Sequence, residues 1–496
     1  MAIETELKLR LAPEQLARLR RHALFRRHQI AAPVTRRLHN IYFDTPTLDL
    51  HGNQMALRLR RVGGRWIQTL KGGGQVRAGL HQRNEWEVAV TSAKLDFSGL
   101  DPAVWDEHLP PALRDSLQAV FVTDFYRTTR LIQWQGAQIE VCMDHGEVRT
   151  AQCSSPICEV ELELKDGQPQ QLFELALVLL EIVPFELELV SKAELGFRLM
   201  AKYVAHPAKA TVPTVAVDDG LSDVLQTMIW SGLQHLQRNL SAAMGDGTDA
   251  EYLHQLRVAL RRLRVVLRMA EKVCANETLA QLRLELAEFG VALGRVRDWD
   301  VFTAALRNGP YAGETTLLSA CERHRNLSKA ALLALLPMQK IQKMLLRFSL
   351  WMNSAYWQQA LSCSPATRDF ACRRLQQLAK RYHRAALNLA ELDATQLHEL
   401  RKLAKKLRYS TEYFAGLYNP YETKCFLAVL AEVQELLGEY NDVTVAHSLL
   451  DILAADVDRV LIDTLRTSEN DKLSKNINKL SAVVDCSIQL PVFWQS

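Results

Sequence analysis

Glu4, Glu6, Lys8 and Arg10 occupy alternate positions in the opening segment Ile3-Glu4-Thr5-Glu6-Leu7-Lys8-Leu9-Arg10. Alternate side chains of a strand share a face, so this order predicts one charged face and one built from Ile3, Thr5, Leu7 and Leu9. A second segment, Glu159-Val160-Glu161-Leu162-Glu163-Leu164-Lys165, repeats the alternation with its carboxylates on one face. Two acidic rows repel each other if they meet unaided. Divalent cations relieve such repulsion, and hard cations choose oxygen ligands. A metal site is one expectation for these strands; two solvated faces are the other.

The segments between them supply cations in the same pattern. Leu57-Arg58-Leu59-Arg60 puts Arg58 and Arg60 on one face, and Trp66-Ile67-Gln68-Thr69-Leu70-Lys71 ends in a lysine just before Gly72-Gly73-Gly74. Arg83, Glu85 and Glu87 share a face, Arg127 and Arg130 take opposite faces, and Gln138–Asp144 ends in a carboxylate before Gly146. Strands that each present a charged face make a poor sandwich, because one side lacks apolar lining. They suit a closed barrel with a charged lumen. A lumen rich in Arg and Lys beside a carboxylate cluster suits a polyanion escorted by metal ions, since guanidinium forks grip phosphate oxygens and lysine binds them as a point charge. No GxxxxGK[ST] segment is present, so a P-loop is not expected. The Gly72–Gly74 run reads as a hairpin tip.

These residues also carry a family resemblance. Glu4-Thr5-Glu6-Leu7-Lys8 resembles the ExExK signature of CYTH domains, the triphosphate tunnel metalloenzymes. Leu57–Arg60, Thr69–Gly72, Arg127, Asp144-His145-Gly146, Glu159-Val160-Glu161, and Ser191-Lys192-Ala193-Glu194 followed by Arg198 match in order, over about residues 1–204. The resemblance implies an antiparallel eight-stranded β tunnel with a triphosphate threaded through it and Mg²⁺ or Mn²⁺ on the carboxylates. It makes Lys8, Arg58, Arg60, Lys71, Arg127 and Lys192 the expected catalytic clamp, with Arg83 a further substrate contact and Arg10, Arg130 and Arg198 of second rank. Glu4, Glu6, Asp144, Glu159, Glu161 and Glu163 are the expected metal ligands.

Length and composition frame this reading. The chain has 496 residues, 48% of them hydrophobic, which allows more than one cored domain. Net charge is +4, so no global excess calls for nucleic acid and any basic site must be local. No apolar run is long or uncharged enough for a membrane span. Nine cysteines without CxxC pairs suit a reducing cytoplasm better than a disulfide framework, and Cys153 and Cys158 find no zinc partners.

The grammar of the chain changes part-way. Short alternating segments reach about Val190, with helices expected at Pro13–His22 and Gln170–Ile182. Residues 205–218 form a linker carrying Pro207 and Pro213, and from about Leu221 the periodicity is helical, with Ser222 or Asp219 as the expected first cap. The expected class is thus an α+β tunnel domain followed by an all-α domain over about 219–490.

That helical half contains a repeat. His254-Gln255-Leu256-Arg257 to Arg264 reappears as His398-Glu399-Leu400-Arg401 to Arg408, an offset of 144 that also carries Leu293-Gly294 to Leu437-Gly438 and Asp298 to Asp442. His254, Arg257, Arg261, Arg264 and Arg268 form one helical stripe beside an apolar stripe of leucines; His398, Arg401, Lys405 and Arg408 form its counterpart, where Glu412 replaces Arg268. A duplicated basic stripe points to an anion-binding surface; a pair of solvated faces is the alternative. With Arg262, Lys406, Tyr409, Arg297-Asp298-Trp299-Asp300-Val301 and Asn441-Asp442-Val443, this half resembles the CHAD domain, a duplicated helical bundle associated with inorganic polyphosphate. The resemblance makes His254, Arg257, Arg261, Arg264, His398, Arg401, Lys405 and Arg408 expected polyphosphate contacts. Residues 468–496 match no motif.

The order of the two domains resembles bacterial inorganic triphosphatases, and implies hydrolysis of tripolyphosphate to pyrophosphate and phosphate. Two alternatives stay open: a thiamine triphosphatase, nucleoside triphosphatase or adenylyl cyclase using the same phosphate apparatus, and a non-catalytic polyphosphate-binding protein.

Overall fold

The computed structural model describes residues 2–77, 79–99, 109–245, 249–354, 356–357 and 365–495. Two compact units result, Met1–His206 with Met338–Ser354, and Pro207–Pro337 with Ala355–Ser496.

The first unit is a closed antiparallel barrel. Its strands are β1 (Ala2–Arg10), β2 (Val34–Asp44), β3 (Ala56–Val62), β4 (Arg65–Arg77), β5 (Leu80–Val90), β6 (Gln118–Trp134), β7 (Ala137–Arg149) and β8 (Ser154–Asp166). They run in the order β5-β4-β3-β2-β6-β7-β8-β1, and β1 pairs back onto β5 to close the ring. A two-residue strand, β9 (Glu186–Leu187), adds to β1. Closure removes the free edges that an open sheet of this charge would expose. Leu7, Leu9, Leu57, Leu59 and Leu70 point outward and are buried, while the charged alternation faces inward. The β6–β7 hairpin turns at Gln135-Gly136, both with positive φ, as a two-residue hairpin of this twist requires.

The glycine triplet is not the expected hairpin tip. It lies inside β4 as an irregularity in the β4–β5 register between Gly72 and Gln75. Gly74 has φ +100°, and a Cβ there would sit 2.0 Å from the Gln82 carbonyl oxygen. The glycines serve a bulge that bends the barrel wall. A β3–β4 turn at Gly63-Gly64 falls where no break was read.

The helix Lys192–Met200, capped by the Ser191 hydroxyl accepting from the Glu194 amide, packs against the inner face of β6 to β8. Phe197 joins Leu38, Tyr42, Phe121, Phe125, Val148 and Ile157 in an apolar cluster at that end of the lumen. Gly196 permits the approach, since a Cβ on it would stand 2.1 Å from the Phe121 ring. Gly196→Ala is therefore expected to overpack this contact and cost about 1–3 kcal/mol, read as a lower denaturant midpoint with unchanged slope.

The helices Pro13–Arg20 and Pro169–Ile182 form close to their expected spans. A third helix, Met338–Met352, comes from within the expected helical domain but belongs to the first unit. It packs on Pro169–Ile182; Gln342 accepts a hydrogen bond from the Leu187 amide at 3.1 Å, and Gln339 donates to the Leu180 carbonyl at 2.8 Å. An amphipathic helix carries the same periodicity whichever surface it covers, so sequence pattern alone left it with its neighbours.

The second unit is all helical. Leu221–Met244, Ala250–Ala270, Glu277–Arg307 and Thr315–Leu335 have counterparts near the 144-residue offset in Thr367–Ala386, Ala394–Phe414, Pro420–Leu453 and Arg459–Gln489. The cap chemistry is duplicated too: Asp249 and Asp393 each accept from an amide of the first turn of their stripe helix. Neither Ser222 nor Asp219 caps Leu221–Met244; Gly220 precedes it with no side-chain bond, and the Asp219 carboxylate is turned back to the Ala216 amide at 2.7 Å. No helix among the described residues is long and apolar enough to cross a membrane.

Candidate active site and basic cluster

Register builds the lumen pair by pair, because directly opposite residues of neighbouring strands share a face. Glu4 stands opposite Arg83 and Glu6 opposite His81 across β1–β5; Lys71 faces Glu85 across β4–β5. Arg58 faces Tyr42 and Arg60 faces Asn40 across β2–β3. Arg127, Asp144 and Glu159 succeed one another across β6, β7 and β8, and Glu161 meets Lys8 where β8 returns to β1. The two acidic strands do lie side by side: Glu6 falls opposite Glu163, while Lys8 and Arg10 stand opposite Glu161 and Glu159.

Asp144, Glu159 and Glu161 converge, each offering an oxygen within 4.8 Å of the others, and all are buried. Cations meet them at once. Arg127 forks onto Asp144 with Nε at 2.8 Å and Nη2 at 2.6 Å, and also reaches Glu161. Lys192 Nζ contacts Glu159 and lies 2.7 Å from Asp144 and 2.8 Å from Glu161. Lys8 Nζ contacts Glu161 and lies 2.9 Å from Glu6.

The protonation states follow from this crowding. Burial opposes charge on Glu161, but Lys192, Lys8 and Arg127 outweigh it and hold the carboxyl well below its usual range. Asp144 is likewise lowered, burial being outweighed by Arg127 and Lys192. Glu159 behaves oppositely: burial, with Glu161 and Asp144 beside it, pushes it up to about 7 despite Lys192. Glu159 is therefore the carboxyl of the trio that most readily holds a proton. Such a trio fits a divalent cation, which favours buried carboxylate oxygens and displaces that proton.

The opposite wall is cationic. Arg58 lies 3.5 Å from Glu85, and Lys71 lies 2.5 Å from Glu4 and 3.1 Å from Glu85. Arg60 has no carboxylate at ion-pair distance among the described residues; its Nε donates to Asn40 Oδ1 at 2.8 Å. Burial, with Arg58 and Arg127 nearby, lowers it to about 10. Asn40 in turn donates to Thr123 at 2.8 Å. Tyr42 is lowered, since Arg58, Arg60 and Lys192 overcome the effect of burial.

Some expected residues stand apart. Glu4, Glu6 and Glu163 face the lumen outside the trio, Glu163 pairing with Lys165. Arg10 is half-exposed and tied to Glu186 and Glu188 at 3.0 and 3.2 Å. Arg130 turns outward over the Phe25 ring, and Arg198 binds Glu194 at 2.7 Å on its own helix. The residues that sequence reasoning left without roles are Asn40, Tyr42, His81 and Glu85. Their strand alternation was readable, but only register shows which cation each one faces. His81 is buried with Nε2 on the Glu188 carbonyl, and burial with Lys8 nearby drives it down to about 4.

In the helical unit the two stripes are not solvated faces. Arg257 and Arg401 lie near both Asp298 and Asp442, each acid contributed by one repeat and felt by both arginines. The repeated Leu-Gly pairs provide their niches: a Cβ on Gly294 would be 2.6 Å from Arg257 Nη1, and one on Gly438 would be 3.8 Å from Arg401 Nη2. Arg261 and Lys405 join this group. Arg264 lies instead with Arg268 and Arg283. Arg408 is held by Glu412 at 2.8 Å and Gln434 at 3.3 Å. His398 bonds Asn441 at 3.0 Å, while burial and Arg297 lower His254. Arg262 is buried over the rings of Tyr409 and Tyr413, a packing position.

Residues 2–192 match the CYTH domain family, and residues 227–451 match the CHAD domain family. The chain is a CYTH domain followed by a CHAD domain. The inorganic triphosphatase of Haemophilus influenzae is 34% identical over 210 residues, 41% of this chain and 56% of that protein. The chain thus spans about half the length of this relative. Uncharacterized protein Rv2226 of Mycobacterium tuberculosis is 26% identical over 463 residues, 85% of this chain and 83% of that one. The crystal structure of the CHAD domain from the plant Ricinus communis has a TM-score of 0.52 and 29% identity, covering 58% of this chain and 99% of the solved domain. The eight-stranded tunnel and the duplicated helical bundle are the architecture that the resemblance to these two families implied.

Proposed function

We propose that the CYTH domain hydrolyses inorganic tripolyphosphate to pyrophosphate and phosphate with a divalent cation, Mg²⁺ or Mn²⁺, and that the CHAD domain binds inorganic polyphosphate. The carrying observation is the division of the lumen between a buried carboxylate trio and a cationic wall in which Arg60 has no carboxylate at ion-pair distance among the described residues. A linear polyanion supplies the missing counter-charge. The name of the Haemophilus influenzae relative supports the same reaction class.

Asp144, Glu159 and Glu161 would hold the cation, with Glu4 and Glu6 within the same lumen. When bound, the cation neutralises phosphate charge and polarises the attacked phosphorus. The protein's own task is to position and neutralise, which is most of what phosphoryl transfer asks. Arg58, Arg60, Lys71 and Arg83 would hold the substrate along one wall, and Lys8, Arg127 and Lys192 along the other. Guanidinium forks on Arg58 and Arg60 would steady the charge that grows on the departing pyrophosphate.

The inorganic substrate is favoured over an organic one by the apolar end of the lumen. Tyr42 stacks on Phe121 at 4.6 Å, Phe121 meets Phe197 at 5.0 Å, and His51 stacks on Phe197 at 4.3 Å. Tyr42, Phe121 and Phe197 are buried against one another, so these three rings offer little face to a nucleobase or thiazolium. Turnover is the test. Tripolyphosphate with Mg²⁺ or Mn²⁺ is expected to exceed ATP and thiamine triphosphate in kcat/KM, and pyrophosphate, too short to reach both walls, is expected to be poor. Pyrophosphate cleaved as fast as tripolyphosphate would argue against a site built for three phosphates. The thiols fit a reducing cytoplasm: the eight described cysteines are free.

A further inference from the structure

The basic cluster of the CHAD domain contains a lysine in an unusual place. The helices Ala250–Ala270 and Ala394–Phe414 pack on each other, which brings Arg257 and Arg261 of the first, with Arg401 one turn back on the second, near enough to act on the charge of this residue, Lys405. Asp442, from Pro420–Leu453, opposes them; Asp298, from Glu277–Arg307, lies beside Arg257 and Arg401. Among the described residues no carboxylate stands at ion-pair distance from Lys405. Its neighbours on the same helix differ, since Lys402 pairs with Glu399 and Arg408 with Glu412.

A half-buried ammonium among three guanidiniums, without an ion pair of its own, has two stable outcomes. It loses its proton, or it gains an anion. The arginines cannot yield instead, because guanidinium keeps its proton at any ordinary pH. Burial together with Arg261, Arg401 and Arg257 lowers Lys405 to about 6, so in the protein alone it is mostly neutral at pH 7–8.

We propose that docking of an inorganic polyphosphate chain on this cluster takes up a proton at Lys405, making the affinity depend on pH as well as on salt. The proposal rests on the reading of the CHAD domain as a polyphosphate-binding module and adds a proton to that binding equilibrium. The sign is fixed by the charges. A phosphate chain beside Lys405 favours its ammonium and draws it back toward its ordinary value of 10.5. Between the free and bound values, binding consumes a proton and weakens as pH rises, by up to about tenfold per pH unit for one proton. Below about 6 Lys405 is already charged, and this dependence flattens.

Two other groups are separable. His254 is lowered from 6.5 by burial, Arg297, Arg261 and Arg257, so it is neutral at pH 8. Lys406, lowered to about 8 by burial, Arg268, Arg381 and Lys402, is the nearest competitor and needs its own control.

The test is titration calorimetry of the full-length protein with long-chain inorganic polyphosphate at pH 8, in two buffers of different ionisation enthalpy. The difference in apparent heat gives the protons taken up. The wild-type protein is expected to bind with net proton uptake. K405R is expected to bind with most of that uptake gone, because its guanidinium is charged beforehand. K406R is expected to keep it. If K405R does not fold, shown by its thermal melt, K405M serves, with weaker binding and the same loss of uptake. Binding without proton uptake, or uptake that survives substitution of Lys405, overturns the proposal and leaves polyphosphate binding standing. No binding at pH 6 or pH 8 overturns both.

Discussion

Glu159→Gln is expected to lower tripolyphosphate turnover by about a thousandfold or more while leaving the fold nearly as stable as before. The first half follows from the several kcal/mol that a well-placed cation contributes, which a neutral amide in a three-carboxylate site would forfeit. The second half follows from protonation. Burial and the neighbouring Glu161 and Asp144 raise Glu159 to about 7, so its charged form is disfavoured in the folded protein. An amide of the same shape therefore removes little that stabilises the native state. Glu161→Gln provides the contrast. Glu161 is held well below its usual range by Lys192, Lys8 and Arg127, and removing its charge leaves those buried cations short of a partner. That variant is expected to lose turnover and also about 3–5 kcal/mol of stability. Turnover and melting temperature measured together separate the two cases. Chelation of the wild-type enzyme is expected to reproduce the kinetic effect of Glu159→Gln, and full turnover in excess chelator would sink the metal assignment.

Arg60→Gln is expected to cut kcat/KM for tripolyphosphate by about 2–4 kcal/mol of transition-state stabilisation, roughly 30- to 1,000-fold. The size of the effect rests on Arg60 having no carboxylate at ion-pair distance among the described residues; its Nε donates instead to the Asn40 amide oxygen. Burial, Arg58 and Arg127 all act against its charge. A bound phosphate relieves that repulsion, so the interaction is worth more in the complex than in the free enzyme. The same reasoning predicts that Arg60→Gln does not destabilise the fold. Arg127→Gln would do so, because it strips a bidentate partner from fully buried Asp144. Steady-state kinetics with tripolyphosphate, beside an unfolding curve, decides the matter. Unchanged kcat/KM in the Arg60 variant would place the substrate elsewhere.

These expectations combine what was readable along the chain with what was not. The alternation of Glu4, Glu6 and Lys8, of Arg58 and Arg60, and of Glu159 and Glu161 correctly predicted a shared charged face, because the two-residue period of a strand is local. Arg130 and Arg198 show the limit. Their residue types fit a phosphate clamp, yet one lies over Phe25 and the other binds Glu194. The Gly72–Gly74 run shows it again, since glycine marks a backbone that must bend without saying whether the bend is a turn or a bulge inside a strand. In the helical half, the 144-residue repeat identified both basic stripes. Whether the stripes faced water or each other depended on contacts between helices far apart in sequence.

The sequence by itself determined the composition of the lumen face, the helical duplication and the change from strand to helix periodicity along the chain, because each is written in short-range period or in direct repetition. Only the tertiary structure decided which charge meets which. Barrel closure brings β8 against β1 in a register that sets Lys8 opposite Glu161, draws Asp144 to Glu159 and Glu161, and leaves Arg60 facing Asn40. It also assigned Met338–Met352 to the tunnel unit and Lys405 to a ring of arginines. The physical reason is the same in each case. Periodicity tells a side chain which face of its own element to occupy, whereas the partner across that face is set by register and packing between distant segments, and those partners fix the protonation states on which the chemistry depends.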